Sequence, residues 1–390
     1  MGTAARANYV PQAWYLWHVP TTRRRHFGSV RKLPSGRYQV RYWHAGVTHA
    51  APETFSAKAE ALAWLSTTET DLLRGSWVAP NAGKVRLAAY AQDWLEAQRH
   101  LRPRTVELYR YLLDGHVLPF LGQISLSDIA PADVAAWHRA LVSQLPGTAP
   151  KAYRLLAQIM GVAVKDDRIH RNPCSVKGAS SEASKEQAIP TVAEVEALAE
   201  AVPVRYKAMV LLAAWCSLRF GELAALRRDR VDFVRGEIRV TETVTELVTG
   251  ERFTGAPKTA AGRRTVAIPP HLVPVVEAHL LVVGPAAEAL LFPSPEGAYL
   301  RRHNFRQRVW APALRTTGLN YRFHDLRHSG LTWAAASGAT VAELMHRGGH
   351  STSATAMRYQ HATRDRDQAI ARALSNMTAA AGAKSGGFVT

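Results

Sequence analysis

The sequence predicts a mixed α+β protein that is mainly helical and consists of three domains. Its 390 residues exceed the roughly 100–200 residues that one domain usually contains. Apolar residues follow helical spacing over most of the chain, whereas two short stretches alternate as strands do. Two aperiodic segments, 79–83 and 179–190, predict linkers. The expected organisation is a basic extension over 1–27, domains over 28–78, 84–178 and 188–377, and a flexible tail over 378–390.

The first domain is predicted to be a small sheet backed by one helix. Residues 37–43 alternate basic or amide side chains with large apolar ones, and turn-forming residues flank this segment. Three short strands are the simplest interpretation. Ser56 then offers an N-cap for a helix that carries Leu62, Leu65 and Leu72. The open face of the sheet would be basic, which fits either DNA contact or simple solvation.

The middle region is predicted to be all-helical with short loops. Leu87 and Trp94 follow helical spacing, and Pro131 opens a further helix. Pro119 and Gly122 interrupt the pattern and predict a break between helices. Helical bundles of this size are common, so this pattern alone assigns no function.

The C-terminal region is predicted to begin with a helix and to contain one small sheet. Thr191 and Glu194 form a capping box, in which each side chain accepts a hydrogen bond from the backbone of the other residue. Strand-like alternation over 238–244, a return strand ending at Lys258 and a third strand over 265–268 predict a three-stranded antiparallel sheet. Helices are expected to follow this sheet.

Charge and cysteine usage limit the possible functions. The chain carries 49 Lys and Arg against 31 Asp and Glu, a net charge of +18, which predicts a polyanionic partner and nucleic acid in the first place. Cys174 and Cys216 form neither a disulfide framework nor a zinc spacing. The longest apolar run, 208–216, is about half the length of a membrane-spanning helix. We expect a cytoplasmic protein without a membrane anchor.

Six polar residues in the second half of the chain form the candidate site. Planar guanidiniums can each bind two phosphate oxygens, imidazoles transfer protons near neutral pH, and a phenol can act as a nucleophile. The acidic residues nearby do not form the cluster that two divalent ions require, and the sequence has no Gly-rich nucleotide-binding loop. We therefore predict phosphodiester chemistry without a metal or cofactor. The candidate catalytic residues are Arg219, Lys258, His324, Arg327, His350 and Tyr359.

The local sequences around these residues carry a family resemblance. Segments 218–223, 323–329, 349–351 and 358–361 resemble the tyrosine recombinases of the phage integrase family, and the likeness covers residues 28–375. The resemblance implies an arm-type DNA-binding domain, a SAM-like helical core-binding domain and a helical catalytic domain with a small antiparallel sheet. It also implies a site-specific recombinase that cleaves and rejoins DNA through a 3′-phosphotyrosine intermediate, integrating and excising a phage or another mobile element.

The resemblance assigns roles to the arginines, the lysine and the tyrosine. Arg219 and Arg327 clamp the scissile phosphate, Tyr359 is the nucleophile, and Lys258 protonates the leaving 5′-oxygen. A phenol with a pKa near 10 is about one part in a thousand ionised at pH 7, which costs about 4 kcal/mol. Neighbouring hydrogen-bond donors or a general base must offset that cost.

The histidines near these residues fall into two groups. The resemblance gives His324 general acid or base work and phosphate binding, and it gives His350 a hydrogen bond to the scissile phosphate. Glu222 is interpreted as a structural support for Arg219. The neighbouring histidines that we interpret as structural or supporting are His328, His346 and His361.

The resemblance also implies partners. Double-stranded DNA attachment sites are the expected substrate, and a homotetramer on DNA is the expected assembly, with the segments 369–370 and 373–374 in contact with a neighbouring subunit. A DNA-bending host factor and an excisionase are further expected partners. Two alternatives stay open: a type IB topoisomerase-like relaxer or telomere resolvase, and a catalytically silent DNA-binding regulator. Two departures from the family pattern, Ser217 in place of Gly and Gly348 in place of Leu, remove no reactive group.

Overall fold

The computed structural model describes residues 27–182, 188–360, 371, 372, 374 and 375. These residues form two compact units. The first unit contains the described residues up to 101 together with 108–182, and the second contains 102–107 together with the described residues from 188 onward. Except for Phe27, the predicted basic extension lies outside the described residues, and so does the predicted tail.

The N-terminal domain begins with the three-stranded sheet that the sequence predicts. Strands β1 (Gly28–Lys32), β2 (Tyr38–His44) and β3 (Val47–Ala50) pair antiparallel in the order β1-β2-β3. Gly36 and Gly46 lie in the two connecting turns with φ angles of 82° and 84°. Glycine suits both positions because L side chains rarely adopt these angles.

One face of this sheet is buried against helix α1 (Lys58–Leu73). The helix begins one residue later than predicted, because Ala57 is the N-cap residue and Ser56 instead donates a hydrogen bond of 2.9 Å to Glu60. The Glu60 carboxylate also accepts from the Ala57 N–H at 3.3 Å. The Glu60 carboxylate thus accepts from the backbone N–H of the cap residue, and no cap side chain accepts from the first turn of the helix. The buried apolar residues of this domain are Val40, Tyr42, Ala61 and Leu65.

The residues that follow are helical, as their apolar spacing predicts. The helices are α2 (Leu87–Ala97), α3 (Pro103–Leu112), α4 (Leu118–Leu121), α5 (Pro131–Gln144) and α6 (Ala149–Lys165). A π-helical turn separates α3 from α4. The Trp137 indole of α5 donates a hydrogen bond of 2.7 Å to the carbonyl of His116 in that turn. This bond holds the turn against α5.

The C-terminal part of the chain is mainly helical. Thr191 caps its first helix as predicted, with the Glu194 N–H donating to the Thr191 hydroxyl at 3.3 Å. The helices are α7 (Val192–Ala201), α8 (Val204–Trp215), α9 (Phe220–Ala225), α10 (Val273–Val283), α11 (Arg302–Phe305), α12 (Ala311–Thr317), α13 (Phe323–Ala336), α14 (Val341–Gly348) and α15 (Ser353–Met357). The prediction of a mainly helical α+β fold is confirmed.

The strands of this part form two small antiparallel sheets instead of the single sheet that we predicted. One contains β4 (Val231–Asp232), β5 (Glu237–Val240) and β8 (Arg264–Ala267), and the other contains β6 (Thr243–Glu246) and β7 (Arg252–Gly255). The segment predicted as one strand therefore divides into β5 and β6. Packing explains the division, because α9 contacts β6 so closely that a Cβ on Gly221 would lie 2.6 Å from the Val244 carbonyl oxygen.

Close packing of α13 on α8 fixes the position of the candidate site. A Cβ on Gly330 would lie 1.8 Å from the Ala214 carbonyl oxygen, so the two helices meet at their backbones. Helix α13 carries His324 and Arg327, and α8 leads into the turn before Arg219. A glycine in the middle of α13 therefore brings two parts of the candidate site together.

Several kinds of site are not seen in the part of the chain that the structure describes. Cys174 and Cys216 are free thiols. Residues 27–182 and 188–360 contain no group of three His, Cys, Asp or Glu side chains that could hold a metal ion. Within the same described ranges, the helices lack the combination of length and hydrophobicity that crossing a bilayer requires.

Candidate active site

The candidate residues come from separate elements of the second compact unit and converge on one region. Arg219 precedes α9, Arg327 lies in α13, and His350 and Tyr359 follow α14 and α15. A cleft of about 890 Å³ has Arg219, Lys258 and His350 among its lining residues. The fold thus brings together residues that lie up to 140 positions apart in the sequence.

Arg219 is held by a buried carboxylate. The Glu222 side chain accepts from the Arg219 backbone N–H at 2.9 Å and from its guanidinium at 2.8 Å. The second Arg219 nitrogen donates to the Gly349 carbonyl at 3.1 Å. About a third of the Arg219 side chain stays exposed. Glu222 and the Gly349 carbonyl therefore orient the guanidinium from its buried side, and the other side is open to the cleft.

Glu222 itself is bound by a second arginine that we did not single out in the sequence. The Arg264 guanidinium donates two hydrogen bonds to the Glu222 carboxylate, at 3.0 and 2.9 Å, and both side chains are almost fully buried. Burial alone would raise the pKa of Glu222, but the paired Arg264 and the nearby Arg219 lower this pKa to about 2. Glu222 is therefore ionised at neutral pH and neutralises one of two adjacent arginines.

Arg327 is the most buried of the candidate cations. Its guanidinium donates to the carbonyls of Ser217 and Gly348 and contacts the His350 Nε2 at 3.0 Å. Burial, followed by the charge of Arg219, lowers the pKa of Arg327 to about 9, so the group still carries its charge at neutral pH. Among the described residues this buried cation has no carboxylate in an ion pair with it, and such a cation favours an anion nearby.

His350 has one ring nitrogen without a partner. Because the Arg327 guanidinium can only donate, Nε2 of His350 accepts and the ring proton lies on Nδ1. That Nδ1 is buried and has no hydrogen-bond partner among the described residues. Burial, Arg327 and Arg219 lower the pKa of His350 to about 4. The ring is neutral at pH 7, with a donor that an additional oxygen acceptor would satisfy.

Tyr359 lies in a small apolar cluster at the side of the site. Its ring packs with Leu331, Leu344 and Ala356 and stacks on the His350 ring, with the two ring planes 8° apart. Its hydroxyl forms a hydrogen bond of 2.7 Å with Nδ1 of His328. Burial raises the pKa of Tyr359, while Arg327, Arg358 and Arg219 act in the opposite direction. The phenol is therefore protonated at neutral pH.

His324 and Lys258 are the exposed members of the candidate set, and they line different cavities: Lys258 lines the cleft with Arg219 and His350, whereas His324 lines another one. His324 is exposed in the first turn of α13, with its ring 4.9 Å from that of His328. Partial loss of water around the ring, followed by the nearby His328 and Arg327, lowers the pKa of His324 below its usual value. Lys258 is exposed in the loop after β7, which ends three residues earlier than the predicted strand.

The Lys258 loop has a defined support. Pro257 is buried, and a Cβ on Gly262 would lie 2.3 Å from its ring. Within the described ranges the Lys258 ammonium takes part in no ion pair. A fixed loop thus presents an unpaired ammonium to the cleft.

The two departures from the family pattern have physical explanations. Ser217 adopts a φ of 54°, a left-handed conformation that costs a non-glycine residue about 1–2 kcal/mol. Its carbonyl accepts a hydrogen bond from Arg327, so this turn is needed to orient the guanidinium. A Cβ at Gly348 would lie 2.8 Å from the His350 ring. Gly348 therefore allows the imidazole to lie over the backbone.

Sequence reasoning missed two residues of this region. Arg264 is one of 39 arginines and lies beside Arg263, so no sequence signal separates it from the others. His328 was interpreted as structural or supporting, yet it contacts the Tyr359 hydroxyl directly. Its position four residues after His324, on the same face of a helix, is a signal that could have placed it beside the site.

Comparison with protein-family models gives three matches along the chain. The model for the phage integrase N-terminal domain matches residues 26–74, the one for the phage integrase N-terminal SAM-like domain matches 87–142, and the phage integrase family model matches 186–366. A prophage phiRv2 integrase of Mycobacterium tuberculosis is 41% identical over 371 residues, covering 91% of this chain and 96% of that protein. The integrase of Mycobacterium phage L5 is 32% identical, covering 91% and 98%.

Solved structures share the same fold. The Tn1549 transposon integrase in complex with transposon right end DNA aligns with a TM-score of 0.65 and 16% identity, covering 75% of this chain and all of that one. A lambda integrase tetramer bound to a Holliday junction aligns with a TM-score of 0.52 and 16% identity, covering 83% and 96%. At this level of identity, both alignments show similarity of the backbone fold.

Proposed function

This chain belongs to the phage integrase family of tyrosine recombinases and is a site-specific DNA recombinase, and we propose that Tyr359 is its nucleophile. The proposal rests on two successive contacts, from Arg327 to His350 and from His350 to Tyr359. The buried guanidinium contacts the imidazole at 3.0 Å, and that imidazole stacks on the phenol. A phosphate next to Arg327 and the His350 Nδ1 would therefore lie beside the Tyr359 ring.

Together the six candidate residues supply the groups that strand cleavage requires. Arg219 and Arg327 stabilise the negative charge of the phosphodiester, because guanidiniums bind phosphate oxygens in pairs. The Tyr359 oxygen attacks phosphorus and the bond to the 5′-oxygen breaks, so that a 3′-phosphate stays on the tyrosine. Lys258 donates a proton to the leaving 5′-oxygen, and His324 binds the phosphate. Attack by another 5′-hydroxyl reverses the step and joins a new strand without ATP, metal or cofactor.

We assign arm-type DNA binding to the N-terminal domain, residues 28–78. The outer face of its sheet is exposed and basic: Arg41 and Trp43 alternate with buried residues along β2, and Arg31 lies on β1. Trp43 is 64% exposed, although its ring is large and apolar. We assign binding of the core site to the domain over 84–178 and catalysis to the domain over 188–377.

Arg41→Ala is expected to weaken binding to arm-site DNA about three- to tenfold, and to reduce the slope of log affinity against log salt by about 1, because each phosphate contact releases condensed counterions. Binding of the core site should stay unchanged. Fluorescence anisotropy at several salt concentrations measures both. Lys58→Ala is the matched control, since Lys58 is exposed on α1 of the same domain. Equal effects of the two substitutions would contradict the assignment of the sheet face.

The proposed assembly is a homotetramer on paired attachment sites in the cytoplasm. A lambda integrase tetramer bound to a Holliday junction has this fold, which supports the assembly. The other proposed partners are a DNA-bending host factor and an excisionase. The proposed role is the integration and excision of a mobile element. Of the segments predicted to contact a neighbouring subunit, only Leu374 lies among the described residues, and it is 58% exposed.

Trapping and mapping of the covalent intermediate test the proposed nucleophile. The protein is incubated with a nicked duplex of the attachment core, from which the cleaved strand end diffuses away, and the adduct is isolated under denaturing conditions. Trypsin cuts after Arg358 and Arg364, so the DNA-linked peptide is expected to be 359–364. Specific binding without any adduct would favour the DNA-binding regulator, and a linked peptide from elsewhere in the chain would exclude Tyr359.

A further inference from the structure

The hydroxyl of Tyr359 is hydrogen-bonded to an imidazole that is not one of the six candidate catalytic residues. His328 lies in α13, one helical turn after His324, and is half-buried. Its Nδ1 is 2.7 Å from the Tyr359 hydroxyl oxygen. This is the distance of a direct hydrogen bond between a phenol and a neutral imidazole, and it places a basic nitrogen on the reacting atom.

We propose that His328 is a catalytic residue, the general base that takes the proton of the Tyr359 hydroxyl. This inference rests on the proposed function, in which Tyr359 attacks the scissile phosphate. As the bond between the tyrosine oxygen and phosphorus forms, the hydroxyl proton moves to Nδ1 of His328, while the bond from phosphorus to the 5′-oxygen breaks and that oxygen takes a proton from Lys258. In the rejoining step His328 returns its proton to the departing tyrosine.

The other imidazoles of the site are less well placed for this work. The His350 ring lies nearly parallel to the Tyr359 ring with centroids 6.1 Å apart, and its Nε2 accepts from Arg327. His324 contacts the ring of His328 and has no hydrogen bond to Tyr359 among the described residues. Of the described histidines, His328 alone is hydrogen-bonded to the phenol oxygen.

The surroundings of His328 keep it ready to accept a proton. Burial lowers the pKa of His328, Arg327, Arg322 and Arg358 lower it further, and Asp325 acts in the opposite direction. The neutral ring of His324 lies edge-on to it. The free imidazole is therefore unprotonated at neutral pH, with Nδ1 as acceptor. A bound phosphodiester brings negative charge that offsets the arginines, which strengthens His328 as a base when the substrate is present.

Two substitutions separate proton transfer from simple positioning. In His328→Asn the side-chain oxygen takes the place of Nδ1 and can still accept a hydrogen bond, but an amide is not a base. His328→Ala removes both properties. We expect both variants to form the covalent adduct at least a hundredfold more slowly than the wild type, the usual range for general acid and base groups. Single-turnover cleavage of the nicked attachment-core duplex measures the rate, and filter binding confirms that DNA is bound.

A matched control and a modified DNA sharpen the test. His346→Asn makes the same change at an exposed imidazole that contacts the Thr265 carbonyl, and its rate is expected to stay within about threefold of the wild type. A 5′-bridging phosphorothiolate has a sulfur leaving group that needs no proton. It should restore cleavage by Lys258→Ala and leave both His328 variants slow, because the phenol still has to lose its proton.

The possible outcomes are distinct. Slow cleavage by both His328 variants on both DNAs, with bound DNA and an unaffected His346→Asn, supports the general base. If His328→Asn cleaved at a rate close to that of the wild type, the hydrogen bond from His328 would only position the Tyr359 hydroxyl, and the inference would be overturned. Recovery of the His328 variants on the phosphorothiolate would place His328 on the leaving-group side and also overturn it. A wild-type protein that forms no adduct would overturn both the inference and the proposed function.

Discussion

Tyr359→Phe is expected to abolish the covalent adduct and strand transfer while the fold and DNA binding persist. Phenylalanine lacks the oxygen that forms the bond to phosphorus. The ring keeps its contacts with Leu331, Leu344 and Ala356, since none of these involves the hydroxyl. The lost hydrogen bond to His328 is worth about 1 kcal/mol, so the free energy of unfolding should change by no more than this. Denaturing gels measure the adduct, and fluorescence anisotropy measures binding.

Tyr153→Phe is the matched control for this experiment. Tyr153 is as buried as Tyr359, at 5% against 9% exposure, and its hydroxyl accepts a hydrogen bond of 2.8 Å from the Val176 N–H. The same atom is thus removed in another domain, and adduct formation should stay within about twofold of the wild type. An adduct retained by Tyr359→Phe would place the nucleophile elsewhere. An adduct lost in Tyr153→Phe would show that the assay responds to general destabilisation.

Local patterns in the sequence were sufficient to predict the order and type of most elements. The three N-terminal strands, the helix after them and the cap at Thr191 depend on neighbouring residues, so their signals are local. The single predicted sheet was wrong for a non-local reason. The predicted strand over 238–244 divides into β5, which pairs with β4 and β8, and β6, which pairs with β7 and lies against Gly221 of α9. No pattern within the strands contains that information.

The candidate site shows the same division. Arg219, Arg327 and Tyr359 were identified because their local sequences resemble a known family, whereas Arg264 has only its three-dimensional position to distinguish it. Its guanidinium is buried against Glu222, across 42 residues of sequence. Sequence reasoning identifies candidate reactive groups in characteristic local sequences more easily than the residues that hold them in place, because the holding contacts are formed by the fold.

Glu222→Gln is expected to destabilise the second compact unit by about 3 kcal/mol at neutral pH. The substitution keeps the shape of the side chain and removes its charge, which leaves Arg264 buried without a counter-charge; breaking a buried pair in this way typically costs about 3–5 kcal/mol. The pKa gives a similar size, since a change from the ordinary 4.5 to about 2 corresponds to about 3 kcal/mol. Arg219 also loses its anchor, so adduct formation should fall.

Hydrogen exchange followed by mass spectrometry measures this loss in the region concerned. Amides of α9 and β8 report the free energy at which that unit opens, and a loss of about 3 kcal/mol makes their exchange about a hundredfold faster. Glu288→Gln is the control: Glu288 pairs with Arg227 at 3.4 Å but is 73% exposed, and exposed pairs contribute about 0–1 kcal/mol. Equal exchange in the two variants would contradict a stabilising role for the buried carboxylate.

The pH dependence gives the buried pair a second, independent signature. Because the folded pKa of Glu222 is about 2, below the ordinary value of 4.5, its contribution to stability is fully present above about pH 4.5 and is lost as the pH falls toward 2. Glutamine does not titrate, so Glu222→Gln lacks this loss. The difference in stability between the wild type and the variant should therefore shrink over that interval. A difference that stays constant down to pH 2 would mean that the charge of Glu222 does not stabilise the fold and that Gln disturbs the packing of α9 instead.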